Sequence, residues 1–445
     1  MLKLFVDFSK YTGKQIRALH GVNGGPLTKA FTYDARPLFL EAGFPYARLH
    51  DIEYPYGSGE FVDIPCIFKN FDADENDPES YNFALTDEYL KACIEVCAEP
   101  IFRLGVSIEH APVKRYVCPP SDYAKWARVC EHIIRHYTQG WDNGFFWNIK
   151  YWEIWNEADS SSWGSKNMWT GSAEEFYELY SVSATYLKEC FPDLKIGGCG
   201  FTRGYNNFIE GFFKYITSGE KRVPLDFYSW HRYFVDTESV VSESKKVDEL
   251  LAKYGYTESE SIFDEWNYMR DWKDQSDSYH VIKNHIGAAF CLSVLCEMQK
   301  RTNIKIANYF EADVVKEWCG MFTVDKMSIG EIRATVAPLK PFYAFKAFNE
   351  IYKLKNEVKT QDSVCDKIYT LASSDNENAA FVLVNYGGTA QKIELELSNL
   401  PKGRYGIFAV DKNRTFDTVQ TFDSEQTTKI TLEVDENSFA FIKNV

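Results

Sequence analysis

Between residues 18 and 355, short runs of apolar and β-branched residues alternate with longer stretches in which apolar residues recur three or four positions apart. The short runs read as buried strands and the longer ones as amphipathic helices, so the alternation predicts repeated β/α units around a parallel sheet. The strand-like runs are residues 18–22, 46–50, 100–106, 150–157, 194–199, 225–231, 261–265 and 305–311. Helical patterning lies between them, as at 87–98, 121–137, 173–190 and 244–254, and 341–352 supplies the eighth helix. The last opens on Pro341, which a first helical turn tolerates because its missing N–H would have no partner there. Eight such units are the complement of a closed (β/α)8 TIM barrel. After residue 356 the texture changes. Residues 368–372, 379–385, 392–397 and 439–442 alternate polar and apolar positions between Gly, Asn and Asp turns, as strands of an antiparallel β-sandwich do. Residues 2–8 alternate in the same way. The expected organisation is therefore a strand within 1–15 added to the sandwich, a barrel over 16–355 and the accessory β-sandwich over 356–445.

Polar residues cluster where the barrel strands end. They are Asn23 on the first strand, Arg48, His50 and Asp51 on the second, Glu109 and His110 after the third, and Asn156 and Glu157 on the fourth. His231 closes the sixth, Asp264 and Glu265 the seventh, and Glu311 the eighth. One charged residue can end a strand simply because the following loop meets water. A whole rim of them has no structural reason, and the C-terminal rim of a barrel is its active-site face. Two carboxyls stand out by context. Glu157 follows the aromatic run 151–156, whose low polarity would raise a carboxyl pKa as a general acid needs, and Glu265 lies 265 − 157 = 108 residues later between Phe263-Asp264 and Trp266-Asn267. Cleaving a glycosidic bond takes a proton donor for the leaving oxygen and a second carboxyl across the anomeric carbon. At about 5 to 5.5 Å apart the second attacks directly and configuration is retained; at about 6.5 to 9.5 Å a water intervenes and configuration inverts.

Composition narrows the partners. A net charge of −15 opposes a phosphate backbone, and no basic run interleaved with aromatics is present. No apolar stretch reaches about 18 residues, and the opening MLKLFVDFSK lacks the layout of a secretory signal. The eleven cysteines are odd in number and scattered, which fits free thiols and a cytoplasmic location. Aromatic residues reach 16%, a lean toward sugar stacking, although most aromatics pack in cores. His132 and His136 are spaced to share a metal, but the Glu of a metalloprotease helix is missing, so no metal and no cofactor is expected.

The barrel resembles glycoside hydrolase family 39, the β-xylosidases and α-L-iduronidases of the retaining clan A. The resemblance is carried by Trp155-Asn156-Glu157 and Glu265, by Gly21-Val22-Asn23-Gly24-Gly25-Pro26, by Arg48-x-His50-Asp51, by His231-x-Tyr233, and by Glu311-x-Asp313 followed by Trp318-Cys319-Gly320. It implies Glu157 as acid/base and Glu265 as nucleophile. It further implies that Asn156 donates to the sugar 2-hydroxyl, that Arg48 keeps Glu265 ionised, and that His231 and Tyr233 contact the nucleophile or ring substituents. His50, Asp51, Glu311 and Asp313 would bind the sugar. Glu109 and His110 stay open between a loop ion pair and a site role. Because Arg232 should point away from His231 and Tyr233 on an alternating strand, the pattern favours a neutral sugar and an exo-acting β-xylosidase-like enzyme. α-L-Iduronidase, arabinosidase, β-galactosidase and β-glucosidase specificities remain open. The expected partner is a glycoside or oligosaccharide, with neither nucleic acid nor membrane, and a homo-oligomer is left open. The rivals are a non-catalytic carbohydrate-binding barrel, an inverting enzyme, and a metal-dependent hydrolase built on His50, Asp51 and His231.

Overall fold

The computed structural model describes residues 2–52, 61–108, 113–160, 168–315, 318–326, 334–363 and 366–445. Eight parallel strands close into a barrel in sequence order. They are Ala18–Asn23, Tyr46–Leu49, Glu99–Leu104, Tyr151–Ile154, Lys195–Phe201, Phe227–Phe234, Glu260–Tyr268 and Ile306–Tyr309. The eighth pairs with the first through Ile306↔Ala18 and Tyr309↔Val22, which removes any free sheet edge.

Several of the surrounding helices start where short polar side chains satisfy first-turn N–H groups. Asp122 accepts from Lys125 before Tyr123–Gln139, and Ser172 and Glu175 form a reciprocal capping box before Ala173–Cys190. Asp236 accepts from Ser239 before Thr237–Tyr254, a helix that begins seven residues ahead of the 244–254 expected from periodicity. Its first two turns are mostly polar in sequence although Thr237, Val240 and Glu243 are buried, so the apolar spacing starts late and only the cap marks them.

Inside the barrel, strand parity stacks two layers of different character. The lower layer is Tyr46, Ile101, Tyr151, Phe227, Ile262 and Ile306, an apolar cluster of its own. Two residues further along the same strands, parity brings in Arg48, Arg103, Glu153, Ser229, Asp264 and Asn308, all fully buried. The seventh strand shifts register between Phe263 and Glu265. A bulge of this kind turns two consecutive side chains the same way, and Asp264 and Glu265 both reach Arg48.

The accessory module is two sheets. One has seven strands, in the spatial order Thr415–Asp423, Arg404–Val410, Ser438–Asn444, Ala379–Asn385, Ile368–Ser374, Asn356–Val358 and Tyr11–Gln15; the other has three, Leu2–Asp7, Gln391–Ser398 and Thr427–Val434. The amino-terminal segment, expected as one strand, is two, one in each sheet. Leu2–Asp7 runs parallel to Gln391–Ser398, so the sandwich is not wholly antiparallel; a turn closed by Lys10 N–H on the Asp7 carbonyl at 3.0 Å carries the chain across. Ile368–Ser374 and Ala379–Asn385 are buried on both faces. Ile368, Ala372, Phe381 and Leu383 face the smaller sheet, while Leu371, Ala380, Val382 and Val384 join the core shared with the barrel. Polar ties cross the same boundary, among them Tyr386 O–H donating to the Val235 carbonyl at 2.6 Å. Among the described residues ten cysteines are free thiols, and no helix is long and apolar enough to cross a membrane.

Candidate active site

Arg48 organises the site. Its guanidinium is fully buried and spreads its donors over the first, fourth and seventh strands. Nε donates to Glu153 Oε2 at 2.8 Å and lies 3.1 Å from Asp264 Oδ2. Nη1 donates to Asn23 Oδ1 and Glu265 Oε2, each at 3.2 Å, and Nη2 to Asn156 Oδ1 at 2.7 Å. This planar fork is why an arginine serves and a lysine would not. Ser229 Oγ supports the network from the sixth strand, donating to Glu153 Oε1 at 2.5 Å.

Glu157 is delivered by a sharp turn after the fourth strand. Trp155 and Glu157 adopt left-handed backbone, φ 70° and 48°, and Glu157 N–H donates to the Gly200 carbonyl at 2.9 Å. Gly200 is itself left-handed at φ 53°, and a Cβ there would stand 2.9 Å from Arg48 Nη2, so this crossing needs glycine. The Glu157 side chain meets His231, with Nδ1 2.8 Å from Oε1. Burial first, then the nearby charges of Glu265 and Asp159, hold the Glu157 carboxyl well above its ordinary range. His231 is pressed the other way, by burial and by Arg48, and stays neutral. Both shifts run toward the neutral forms, a carboxyl that keeps its proton beside an imidazole that does not gain one.

Glu265 has a different environment. Arg48 holds one oxygen and Tyr233 O–H donates to the other. These donors pull its pKa down, as the sequence-based role for Arg48 requires, but burial is the larger effect and leaves it raised to about 7. The nucleophile candidate thus titrates near neutrality. His231 Nδ1 lies 3.5 Å from Glu265 Oε2 and so stands between the two carboxyls. An oxygen of Glu157, an oxygen of Glu265 and a ring nitrogen of His231 lie within 4.8 Å of one another. Among the described residues no other trio of His, Cys, Asp or Glu is so close. The trio does not suit a cation: both Glu265 oxygens already receive donors, and one of those donors is a guanidinium 3.2 Å away.

The other expected residues divide. Asn156 is fully buried; with Oδ1 taken by Arg48, its Nδ2 is left without an acceptor among the described residues, a free donor at the mouth. His50 and Asp51 lie together, Nε2 to Oδ1 3.2 Å, and the charge of Asp51 acts on both Glu157 and Glu265. Asp51 is fixed by Ser107, which also takes part in the Arg103–Asp63 pair. Glu311 receives the Cys319 thiol at 3.2 Å and Asp313 the Val314 N–H at 2.6 Å, beside the Arg48 network and not in it. Glu109 and His110 lie outside the described residues. His132 and His136 are helix and loop fasteners: His132 contacts the Arg128 carbonyl at 2.8 Å, and His136 meets Asp87 at 3.0 Å with its ring stacked on Phe83.

Sequence reasoning passed over Glu153, Ser229 and Gly200, which support the site from below. It also passed over Trp272. That ring is 49% exposed and packs edge-on against Tyr233 and Trp318, extending an aromatic wall outward from the nucleophile. A charged residue inside an apolar run was the available signal for Glu153.

The sequence profile of Glycosyl hydrolases family 39 matches residues 41–304. A β-xylosidase from Geobacillus stearothermophilus is 26% identical over 202 residues, 43% of this chain and 36% of that enzyme, so the aligned part spans about a third of the relative's own length. A β-xylosidase from Caldicellulosiruptor saccharolyticus is 22% identical over 378 residues, 80% of this chain and 72% of the enzyme. Among solved structures, a glucosidase from Croceicoccus marinus superposes with a TM-score of 0.81 at 21% identity, covering 100% of this chain and 98% of that one. With the matched profile running through both carboxyl-bearing strands, the chain belongs to glycosyl hydrolases family 39 and is a glycosidase.

Proposed function

We propose that this glycosidase works by double displacement with retention, and that Glu265 is its nucleophile and Glu157 its acid/base. The observation that carries the reading is the unequal treatment of two carboxyls within 4.8 Å of each other. Glu265 is held by a guanidinium and a phenol, which stabilise an anion, whereas the side-chain partner of Glu157 among the described residues is an imidazole whose pKa is pressed down, which leaves the Glu157 proton in place. In the first step Glu265 bonds to the anomeric carbon while the leaving oxygen departs with the Glu157 proton. In the second, Glu157 takes a proton from water as the water oxygen displaces Glu265. Asn156 Nδ2 is placed to donate to the sugar beside C1, a bond that tightens as positive charge develops on the ring.

The substrate is a neutral glycoside cleaved from its end, in the manner of a β-xylosidase. Two relatives carry that name. The arginines that enter the barrel, Arg48 and Arg103, each already have a carboxylate counter-ion, so the charge of neither is left for an acidic sugar. A panel of aryl β-xyloside, α-arabinoside, β-galactoside, β-glucoside and α-iduronide tests the sugar; turnover of iduronide above xyloside overturns the neutral-sugar reading. Mechanism is tested with azide. Glu157→Ala should favour good leaving groups strongly and form a glycosyl azide of retained configuration, because azide attacks the accumulated intermediate unaided. Glu265→Ala should form no covalent intermediate and give the opposite anomer; the reverse pattern exchanges the roles.

A further inference from the structure

Beneath the catalytic pair lie two carboxyls that the double displacement leaves idle. Glu153 and Asp264 are fully buried and close enough for each to shift the other's pKa. They converge on one nitrogen, Arg48 Nε, at 2.8 and 3.1 Å, and that nitrogen has a single hydrogen, which goes to Glu153. Glu153 gains a second donor from Ser229. Neither oxygen of Asp264 accepts a hydrogen bond from any described residue. A carboxylate with no donor in a dry interior is costly, while a neutral carboxylic acid there can donate its own proton to its neighbour.

We propose that Glu153 and Asp264 together carry one negative charge and one proton, the proton residing on Asp264, and that the pair is a constant counter-ion holding Arg48 in place while Glu265 changes charge. This rests on Glu265 being the nucleophile. When Glu265 becomes a neutral ester, Arg48 Nη1 loses its anionic partner, but Nε keeps Glu153 and Nη2 keeps Asn156. The fork stays aimed at the position to which Glu265 returns as an anion. A doubly charged pair would pull Arg48 down toward the floor in that state; an uncharged pair would leave the guanidinium unbalanced. Asp264 and Glu153 are thus positioning residues, acting through Arg48. The ionisable groups around them and Glu265 are Arg48 and Asp51 from the second strand, Glu157 and Asp159 from the fourth, Cys199 from the fifth, and His231 and Tyr233 from the sixth.

The test is the acidic limb of the pH profile of kcat/KM, which reports ionisation of Glu265 in the free enzyme. Asp264→Asn removes a proton carrier but no charge. Glu153→Gln lets Asp264 ionise in its stead. Each single variant lowers kcat but shifts the limb by less than about 0.3 pH unit, and the double variant, having lost the anion, moves it down by on the order of one unit. A full shift in either single variant, or none in the double, overturns the proposal. The full-length enzyme with carbon-13 in its Asp carboxyls gives a readout free of activity. The infrared carbonyl band of a protonated acid should be present at neutral pH and lose a component in Asp264→Asn. An unchanged band overturns the proposal even if Glu153→Gln fails to fold, and says nothing against Glu265 as nucleophile.

Discussion

The floor and the mouth of the barrel are built on the same strands, two residues apart. Ile101 gives way to Arg103, Tyr151 to Glu153, Phe227 to Ser229, Ile262 to Asp264 and Ile306 to Asn308. Both layers are dry, but they are held by different forces. The floor gains from removing apolar surface from water, a non-directional term that tolerates small changes of shape. The layer above spends that gain on desolvating charges, and recovers part of it through the ion pairs of Arg48 with Glu153, Asp264 and Glu265 and of Arg103 with Asp63. Arg103 Nε and Nη1 and both Asp264 oxygens find no hydrogen-bond partner among the described residues. The floor is therefore the dielectric wall of the site. Without it, the fields that separate Glu157 from Glu265 would be screened.

The largest effect expected from disturbing this contrast is at Glu265. Glu265→Gln should lower kcat by about 10⁴-fold or more on substrates with poor leaving groups. It should also stabilise the protein. Burial raises the folded pKa of Glu265 from 4.5 to about 7, so its ionisation costs stability progressively as pH rises through that interval, and nothing below it. The gain in the variant should therefore be about 1 to 3 kcal/mol at pH 8 and should vanish near pH 4, as measured by denaturant unfolding at the two pH values. Equal gains at both would mean that Glu265 is not the group whose charge is being held.

Arg48→Met comes next. It strands a buried carboxylate, so unfolding should become easier by about 3 to 5 kcal/mol and kcat should fall by about 10²-fold or more, with KM changing far less. A rise in KM at constant kcat would make Arg48 a sugar-binding residue. The smallest effect belongs to the floor. Ile101→Val should cost about 0.5 to 1.5 kcal/mol of stability and leave the pH profile in place. A displaced profile would show that the layers are coupled through packing as well as through dielectric.

The barrel strands were legible because strands covered on both sides read as unbroken apolar runs, and their polar ends mark the mouth. Arg48, Glu157, His231, Tyr233 and Glu265 come together as the pattern implied. Glu153 was not legible as part of the site. Within Tyr151–Ile154 nothing in sequence says which alternate side chains face inward, and the bulge that turns both Asp264 and Glu265 inward breaks the parity rule altogether. Gly200 was hidden for a related reason, since its need follows from a crossing with the turn at Glu157, a contact between strands. In the sandwich, Thr415–Asp423 is almost wholly exposed and carries no alternation to read, whereas the pairing of Leu2–Asp7 was expected from its own alternation but not its parallel direction.

That parallel pairing has a consequence in time. Lys3 bonds Glu394 across 391 residues of chain. At ribosomal speeds of roughly 5 to 20 residues per second, the edge formed by Leu2–Asp7 waits on the order of 20 to 80 seconds before its partner has been synthesised. Throughout that interval an alternating strand with Leu4 and Val6 on one side has open N–H and C=O groups and no native neighbour. The barrel can close while it waits, but the sandwich cannot, so nascent chains stalled before residue 391 should be held by chaperones or pair with one another through this strand.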